Sequence, residues 1–275
     1  MAFAGPNDEL FYEETGEGYP VLFIPGFGGV GSFWKRQVAY FSRHYRTVTF
    51  DHRGTGKSAR SRIIYSIDQM EEDARFVMDA AGIERAVIVG HSTGGAIAQK
   101  LAACCPDRVA GAVLSCTWLR PGDYFRRVFR FRRSLLAKGE QSLYHQAGIF
   151  FLYPPSYLEG RGDLFDGERV IDAEITLARI EAVLQADLSA YSGSIRVPTL
   201  VVAARDDSLV PNYMSIELAR CISDAKYVEL DLGGHFLPET ASEQYNQLIE
   251  DFLKNVVNLG ISGTPTVSQV RQADS

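Results

Sequence analysis

The stretch "VIVGHSTGG", residues 87–95, carries the strongest structural signal in this chain. Its first half is a short β-branched run typical of a buried strand, and the sequence after it continues at helical spacing. Between them stands G-x-S-x-G, with Ser92 flanked by Gly90 and Gly94. A sharp strand-to-helix turn of this kind strains the serine backbone and points its hydroxyl outward, at the N-terminus of the helix. The stretch predicts a nucleophilic serine, the alternative being a glycine-rich turn with an incidental serine.

A serine hydroxyl needs a base to accept its proton and a third group to orient that base. In a turn of this type the acid and then the histidine follow in loops after later strands. Here "VVAARDDSLVP" supplies Asp206 and Asp207, and "VELDLGGHFLPE" supplies His235. His235 is the histidine that follows a late strand end with glycines beside it. We expect surface or structural roles for His44, His52 and His145, and a role in shaping the serine turn for His91.

Short apolar runs alternate with amphipathic stretches along most of the chain. The runs that read as strands are "PVLFIPG", "RTVTFDHRG", "AVIVGHS", "VAGAVLSC", "PTLVVAARDD" and "KYVELDLGG". This alternation predicts an α/β fold with a mostly parallel sheet covered by helices on both faces. The early segment "ELFYEETGEG" can add antiparallel strands at one edge, which brings the expected sheet to about eight strands.

The alternation fails once, after the sixth strand. Residues 119–196 contain no clear strand but several helix-like stretches, including "DYFRRVFRFRRSLLAKG" and "AEITLARIEAVLQAD". We expect a helical cap here, inserted into a core of residues 1–118 and 197–258. Residues 259–275 have little to bury and are expected to form a flexible tail.

Composition narrows the classes of partner. The net charge of -6 and the pI near 5.5 argue against binding to nucleic acid or to anionic membranes, so a small-molecule substrate is expected. No secretory leader and no apolar run of membrane-spanning length is seen, which indicates a cytoplasmic protein. The four cysteines lack metal-ligand spacing and are expected to be buried free thiols. A homodimer remains open.

The glycine-rich loop in "VLFIPGFGGVGSFW", residues 21–34, allows two interpretations. Gly26, Gly28 and Gly31 fit a dinucleotide fingerprint, and Asp51 follows at the distance expected for a ribose ligand. Against this, the bulky Trp34 stands where the helix of that fold must pass close to the sheet. The other interpretation is an oxyanion-binding loop, since acyl transfer needs one N–H donor after the nucleophile and another from an earlier loop.

At this point the chain resembles the α/β-hydrolase family, from about Leu10 to Asn255. The family's D-x-R-G-x-G-x-S element is matched by "DHRGTGKS", which starts at Asp51 and implies a structural role for that aspartate. In this family the triad acid commonly lies four residues before a proline, so the resemblance to Pro211 implies Asp207, with Asp206 second. The family also places the acid after the preceding strand, which keeps Asp123 as a distant third. The resemblance also places the oxyanion donors at Phe27 and Thr93, and it implies no metal and no organic cofactor.

The insertion segments "TWLRPGDYFRR", "IFFLYPPSYL" and "LQADLSAYSG" resemble predicted aminoacrylate or carbamate hydrolases of bacterial pyrimidine degradation. The whole chain is also similar to 3-oxoadipate enol-lactonase. The function expected is a serine hydrolase that cleaves a small ester, lactone or amide through an acyl-enzyme on Ser92. Alternatives are a ligand-sensing protein that keeps the fold, a C–C bond hydrolase and a cofactor-free haloperoxidase.

Phe27, Thr93, Trp118 and the insertion are expected to select the substrate. Six arginines crowd the start of the insertion: Arg120, Arg126, Arg127, Arg130, Arg132 and Arg133. They form either a solvated helix face or a group of which one or two reach the pocket and hold a substrate carboxylate. Arg120, nearest the strand end, is the best single candidate for that contact.

Overall fold

The computed structural model describes residues 2–7, 9–60, 65–166 and 171–261. Eight strands are assigned in this part of the chain. Their bounds are β1 Ala2–Ala4, β2 Leu10–Thr15, β3 Tyr19–Ile24, β4 Tyr45–Phe50, β5 Ala86–His91, β6 Val109–Ser115, β7 Thr199–Ala204 and β8 Lys226–Leu230.

The eight strands form one sheet in the order β1-β2-β4-β3-β5-β6-β7-β8. The six strands β3 to β8 run parallel to one another. At one edge of the sheet, β2 pairs antiparallel with β4, and β1 pairs antiparallel with β2. The predicted mostly parallel sheet of about eight strands, with antiparallel strands from the early segment, is confirmed.

Eleven α-helices are assigned in the described residues. Their bounds are α1 Lys35–Phe41, α2 Ile67–Ala80, α3 Thr93–Cys104, α4 Asp123–Ala137, α5 Gln141–Leu152, α6 Pro155–Leu158, α7 Ala173–Gln185, α8 Ser189–Ser192, α9 Asn212–Cys221, α10 Leu237–Thr240 and α11 Ser242–Ile261. Side-chain caps fix two of these starts, because Ser66 accepts a hydrogen bond from the N–H of Gln69 before α2, and Asp172 accepts one from that of Ile175 before α7.

Helices cover both faces of the sheet. The central strands β5, β6 and β7 are buried at every residue, which explains why they read as unbroken apolar runs in the sequence. One apolar core packs α2 and α3 against the sheet and continues into α4 and α7. A second core on the opposite face packs α1 and α11 against the same strands.

Helices α4 to α8 all lie between β6 and β7, and we call them the helical insertion. The insertion follows the sixth strand, as the lost alternation of the sequence indicates. The tail was expected to begin at residue 259, but α11 continues to Ile261, and residues 262–275 fall outside the described residues.

The cysteines correct one expectation. All four are free, but only Cys116 is buried, whereas Cys104 and Cys221 are exposed. Both exposed cysteines are the last residues of helices, α3 and α9, where the chain reaches the surface. Across the described residues, no helix has both the length and the apolar character needed to cross a bilayer.

Candidate active site

Ser92 lies at the turn between β5 and α3, with φ 55 and ψ -118. A positive φ is costly for a residue with a side chain and persists only where the surroundings enforce it. Close approach of strand and helix is the enforcing feature here. A Cβ added at Gly90 would overlap the carbonyl oxygen of Gly94, and one added at Gly94 would overlap that of Ile24. The two glycines of G-x-S-x-G therefore let the helix start directly against the sheet.

Besides the hydrogen bonds of the first turn of α3, two hydrogen bonds to another part of the chain hold the serine backbone. Its N–H donates to the carbonyl oxygen of Ser115 at 2.8 Å, and the Thr117 hydroxyl donates to its carbonyl oxygen at 2.8 Å. Both partners come from the end of β6 and the residues after it. Ser92 is only 3% exposed, because it faces a cavity under the helical insertion.

His235 and Asp207 come together in the loops after β8 and β7. Nδ1 of His235 lies 2.8 Å from Oδ2 of Asp207, and both side chains are buried. The other carboxylate oxygen of Asp207 accepts the N–H groups of Leu209 and Val210, each at 2.8 Å. One oxygen of the carboxylate is thus fixed by backbone N–H groups, and the other oxygen orients the imidazole.

The neighbouring acid, Asp206, holds a different part of the same loop. Its carboxylate accepts the N–H of Gly234 at 2.8 Å and that of Gly233 at 3.3 Å. It therefore braces the backbone that carries His235 without bonding to the imidazole. Asp123, the third candidate, is exposed in the first turn of α4.

The loop after β3 lies against the serine turn. A Cβ added at Gly26 would be 3.2 Å from Cβ of Ser92 and 3.2 Å from the carbonyl oxygen of His91. Within the described chain, the backbone N–H groups of Phe27 and Thr93 donate no hydrogen bond to another residue. Two unused donors beside a strained serine have the composition of an oxyanion hole.

Asp51 is fully engaged by this loop and the next one. Its two carboxylate oxygens accept the N–H groups of Gly31 and Lys57, each at 2.8 Å. Trp34 is completely buried against the second core. The carboxylate that a dinucleotide ribose would need is therefore already used to fasten two loops, which removes the basis of the nucleotide interpretation.

A cavity of about 620 Å³ contains both Ser92 and His235. This volume suits a small-molecule ligand. The lining combines the loop after β3, the serine turn, the histidine loop and the underside of the insertion, and includes Phe27, Phe33, Arg132, Tyr144, Ile149, Tyr153, Ile175, Arg179, Phe236 and Glu239.

Two further histidines lie beside the site in neutral form. His91 stacks on Phe33, and its ring centroid lies 4.9 Å from that of His235. Burial, together with the nearby His235, holds the pKa of His91 well below its usual range. Burial and the charge of Arg179 lower the pKa of His52 to about 3, while its Nε2 contacts the carbonyl oxygen of Pro25. His235 differs from both, because its imidazole lies against the buried carboxylate of Asp207 and lines the cavity together with Ser92.

Among the described residues, one group of side chains could hold a metal ion. Potential ligand atoms of Cys116, Asp207 and His235 lie within 4.8 Å of one another. Burial raises the pKa of the Cys116 thiol well above its usual range, so the sulfur keeps its proton at neutral pH. Two members of this group, Asp207 and His235, already contact each other through the 2.8 Å hydrogen bond.

The α/β-hydrolase fold model matches residues 19–145 and 176–242. The chain belongs to the α/β-hydrolase fold family. The match to this α/β-hydrolase leaves out both ends of the chain and one internal stretch, residues 146–175, which lies inside the helical insertion.

Relatives of this α/β-hydrolase agree with that placement. It is 36% identical over 254 residues to "Putative carbamate hydrolase RutD" of Azorhizobium caulinodans, covering 90% of this chain and 96% of the relative. The RutD protein of Escherichia coli O81 (strain ED1a) is 33% identical and covers 86% and 92% of the two chains. The crystal structure of the enol-lactonase from Burkholderia xenovorans LB400 matches with a TM-score of 0.82 and 29% identity, over 89% of this chain and 96% of that one.

Two residues expected to bind substrate in this α/β-hydrolase lie away from the cavity. Trp118 is completely buried, packs its ring 4.7 Å from that of Phe125, and donates from Nε1 to the carbonyl oxygen of Ala186. Arg120 is largely exposed and pairs with Glu217 at 2.7 Å. The chain after β6 turns Trp118 into the base of the insertion and Arg120 toward solvent, so both assignments need correction.

Sequence reasoning missed the arginine that the α/β-hydrolase cavity holds most deeply, Arg179 of α7. Arg132, one member of the arginine group in α4, lies beside it. The signal for Arg179 was available, because it stands on the apolar face of α7, four residues after Ile175 and four before Val183. A cation at such a position is either paired in the core or reaches a cavity.

Proposed function

We propose that this chain hydrolyses a small ester, lactone or amide through an acyl-enzyme on Ser92, with His235 as base and Asp207 as the orienting acid. The observation that carries the proposal is the 2.8 Å contact between Asp207 and His235 at the edge of the cavity that also exposes the strained serine. A nucleophile, an oriented base and unused backbone donors in one cavity are the requirements of acyl transfer.

Acylation follows from the tautomer that the carboxylate selects. Nδ1 of His235 carries a proton and donates a hydrogen bond to the Asp207 carboxylate. This leaves Nε2 free to take the proton of the Ser92 hydroxyl. Oγ then attacks the acyl carbon, and the N–H groups of Phe27 and Thr93 stabilise the negative charge that develops on oxygen. When the intermediate collapses, the C–O or C–N bond breaks and the imidazolium gives its proton to the leaving alcohol or amine.

Deacylation repeats these steps with water. His235 takes a proton from a water molecule, the hydroxide attacks the acyl carbon, and collapse returns the proton to Oγ of Ser92. The products are a carboxylic acid and the regenerated serine.

The choice of ester, lactone or amide rests on the cavity and on the relatives. A volume of about 620 Å³ accommodates a small substrate and leaves no room for a large polymer. The printed names of two relatives are a carbamate hydrolase and an enol-lactonase, and in carbamates and lactones the acyl carbon is bonded to nitrogen or oxygen. We therefore infer acyl–heteroatom cleavage, and not cleavage of a C–C bond, for this chain.

Rapid-mixing kinetics with a 4-nitrophenyl ester tests the proposal. We expect a burst of 4-nitrophenol equal to the enzyme concentration, followed by slower turnover, and an acylated peptide containing Ser92 after acid quenching. Ser92→Ala should abolish the burst and the acylated peptide. Turnover that survives intact in Ser92→Ala would overturn the proposal, and ligand binding by wild type without a burst or turnover would favour the ligand-sensing alternative.

A further inference from the structure

Two buried guanidinium groups lie against the same aromatic ring in the cavity. The Arg132 guanidinium is 5.5 Å from the ring centroid of Phe27, and that of Arg179 is 5.6 Å from it. Arg132 is 6% exposed and Arg179 is 2% exposed, although both line the cavity. They come from different helices of the insertion, α4 and α7, and converge on the loop after β3.

Each group uses only part of its hydrogen-bonding capacity. Arg132 donates from Nη2 to the Tyr144 hydroxyl at 2.9 Å, and Arg179 donates from Nη2 to the carbonyl oxygen of Phe27 at 2.8 Å. Within the described part of the chain, Nε of Arg132 and both Nε and Nη1 of Arg179 have no partner. Buried polar groups of native proteins are nearly always satisfied, so several unsatisfied donors on two cations indicate a missing acceptor.

No acidic side chain compensates these charges. Among the described residues, neither arginine has a carboxylate within ion-pair distance. The two carboxylates that also line the cavity have other contacts: Asp172 caps the start of α7 and lies beside the exposed Arg60, and Glu239 accepts hydrogen bonds from Tyr153 and Tyr157. Burial lowers the pKa of Arg179 to about 10, which still leaves the group protonated at neutral pH.

The unused donors lie close to the acyl-transfer site. A Cβ added at Gly29 would be 2.9 Å from both Nη1 and Nη2 of Arg179, so the guanidinium rests directly on the loop that carries the Phe27 N–H. The arginines, this loop and Ser92 all line one cavity.

We propose that Arg132 and Arg179 form a carboxylate-binding subsite, and that the natural substrate is a small acyl compound carrying a carboxylate besides the bond that is cleaved. The inference rests on the proposed function for the position of that bond. Two planar cations with free N–H groups match a carboxylate in charge and in geometry. Binding would supply the missing acceptors and neutralise a charge that is costly to bury.

Binding without chemistry is the first test, because it remains informative even if Ser92 is not a nucleophile. We would titrate glutarate, and separately its neutral dimethyl ester, into Ser92→Ala by calorimetry, alone and combined with Arg132→Met, Arg179→Met or Arg133→Met. Methionine keeps an unbranched side chain and removes the charge. Arg133 is the matched control, an exposed arginine of α4 paired with Glu181.

The expected result is that glutarate binds, that Arg132→Met and Arg179→Met each weaken it about 10-fold or more, and that Arg133→Met does not. The dimethyl ester should bind weakly and equally to all variants. Absence of glutarate binding, or equal losses for the diacid and the diester, would overturn the subsite. If Arg179→Met does not fold, we would use Arg132→Lys as the second variant. It keeps the charge of the side chain but not the planar fork of N–H donors.

Kinetics then connects the subsite with the reaction. We would compare mono-4-nitrophenyl adipate with 4-nitrophenyl hexanoate, which differ by the terminal carboxylate. Arg132→Met should raise KM for the adipate about 10-fold or more and leave the hexanoate nearly unchanged. Equal effects on both esters would mean that the arginines only pack against Phe27. Retained glutarate binding without hydrolysis of either ester would refute the proposed function and leave the subsite standing.

Discussion

Nη2 of Arg179 donates a hydrogen bond to the carbonyl oxygen of Phe27 at 2.8 Å, across 152 positions of the chain. Arg179 belongs to the helical insertion, whereas Phe27 belongs to the loop that we propose supplies an oxyanion donor. The contact fixes the carbonyl of Phe27 and thereby limits rotation of the residue that carries the N–H. The insertion therefore does more than cover the cavity, since it also holds the geometry of the loop beneath it.

Gly29→Ala should disturb this contact, and Gly28→Ala should not. Gly29 has φ +75, and an added Cβ would be 2.8 Å from the Thr55 hydroxyl and 2.9 Å from the Arg179 guanidinium. The backbone strain alone costs about 1–2 kcal/mol. Urea unfolding should show that loss together with a fall in kcat. The Cβ of Gly28→Ala meets no atom of the described residues within 4 Å, so comparable losses in both variants would contradict this account.

The variants Asp207→Asn and Asp206→Asn test the different roles of two adjacent carboxylates. An amide at position 207 no longer selects the required tautomer of His235, and kcat should fall about 10³- to 10⁴-fold. At position 206 the amide oxygen still accepts one N–H of the Gly233–Gly234 backbone, so a fall below about 10-fold is expected. Steady-state kinetics with one ester measures both. A larger loss in Asp206→Asn would reverse the assignment.

Stability should fall as the pH is lowered from about 6.5 toward 3, because His52 is neutral in the folded chain. Burial lowers its pKa from 6.5 to about 3, so between these values the unfolded chain binds a proton that the folded chain does not. Each such proton contributes about 1.4 kcal/mol of unfolding free energy per pH unit, with stability rising as pH rises. Burial gives His91 an effect of the same sign.

His52→Gln should reduce the slope of unfolding free energy against pH in this window by up to about 1.4 kcal/mol per pH unit. Urea titrations at several values between pH 4 and 6 measure that slope. His44→Gln is the control, since it makes the same substitution at an exposed position. An unchanged slope in His52→Gln would mean that its imidazole is protonated in the folded chain.

Trp118→Phe should lower stability without changing substrate affinity. The substitution removes the Nε1 donor and leaves the carbonyl oxygen of Ala186 buried without that partner, at a cost of about 1–3 kcal/mol. Thermal unfolding should show a lower Tm with KM unaltered. Arg120→Ala breaks only an exposed ion pair with Glu217 and should change stability by less than about 1 kcal/mol. A selective rise in KM for either variant would restore its substrate-binding role.

The sheet was predictable because its central strands are buried on both faces. Strands β5, β6 and β7 are therefore continuous apolar runs with no second interpretation. The turn at Ser92 was predictable for a related reason, since glycines on both sides of a serine between such a strand and a helix meet a steric need that the structure shows directly.

The choice between Asp206 and Asp207 depended on a resemblance, because adjacent aspartates have the same chemistry. Only the loop conformation decides which carboxylate faces His235 and which faces the Gly233 and Gly234 N–H groups. The path of the insertion could not be predicted from the sequence either. Trp118 and Arg120 lie near the strand end in sequence, but the chain carries them away from the cavity, whereas Arg179 reaches it from 59 positions beyond Arg120.

Covalent labelling with a fluorophosphonate tests the central claim most directly. We would expose wild type, Ser92→Ala and Asp207→Asn to the reagent and identify the modified peptide by mass spectrometry. The account predicts one phosphonyl group per wild-type chain, on Ser92, slow labelling of Asp207→Asn and none of Ser92→Ala. Labelling at another residue, or no labelling of a folded wild-type protein that binds small ligands in this cavity, would contradict the assignment of Ser92 as an activated nucleophile.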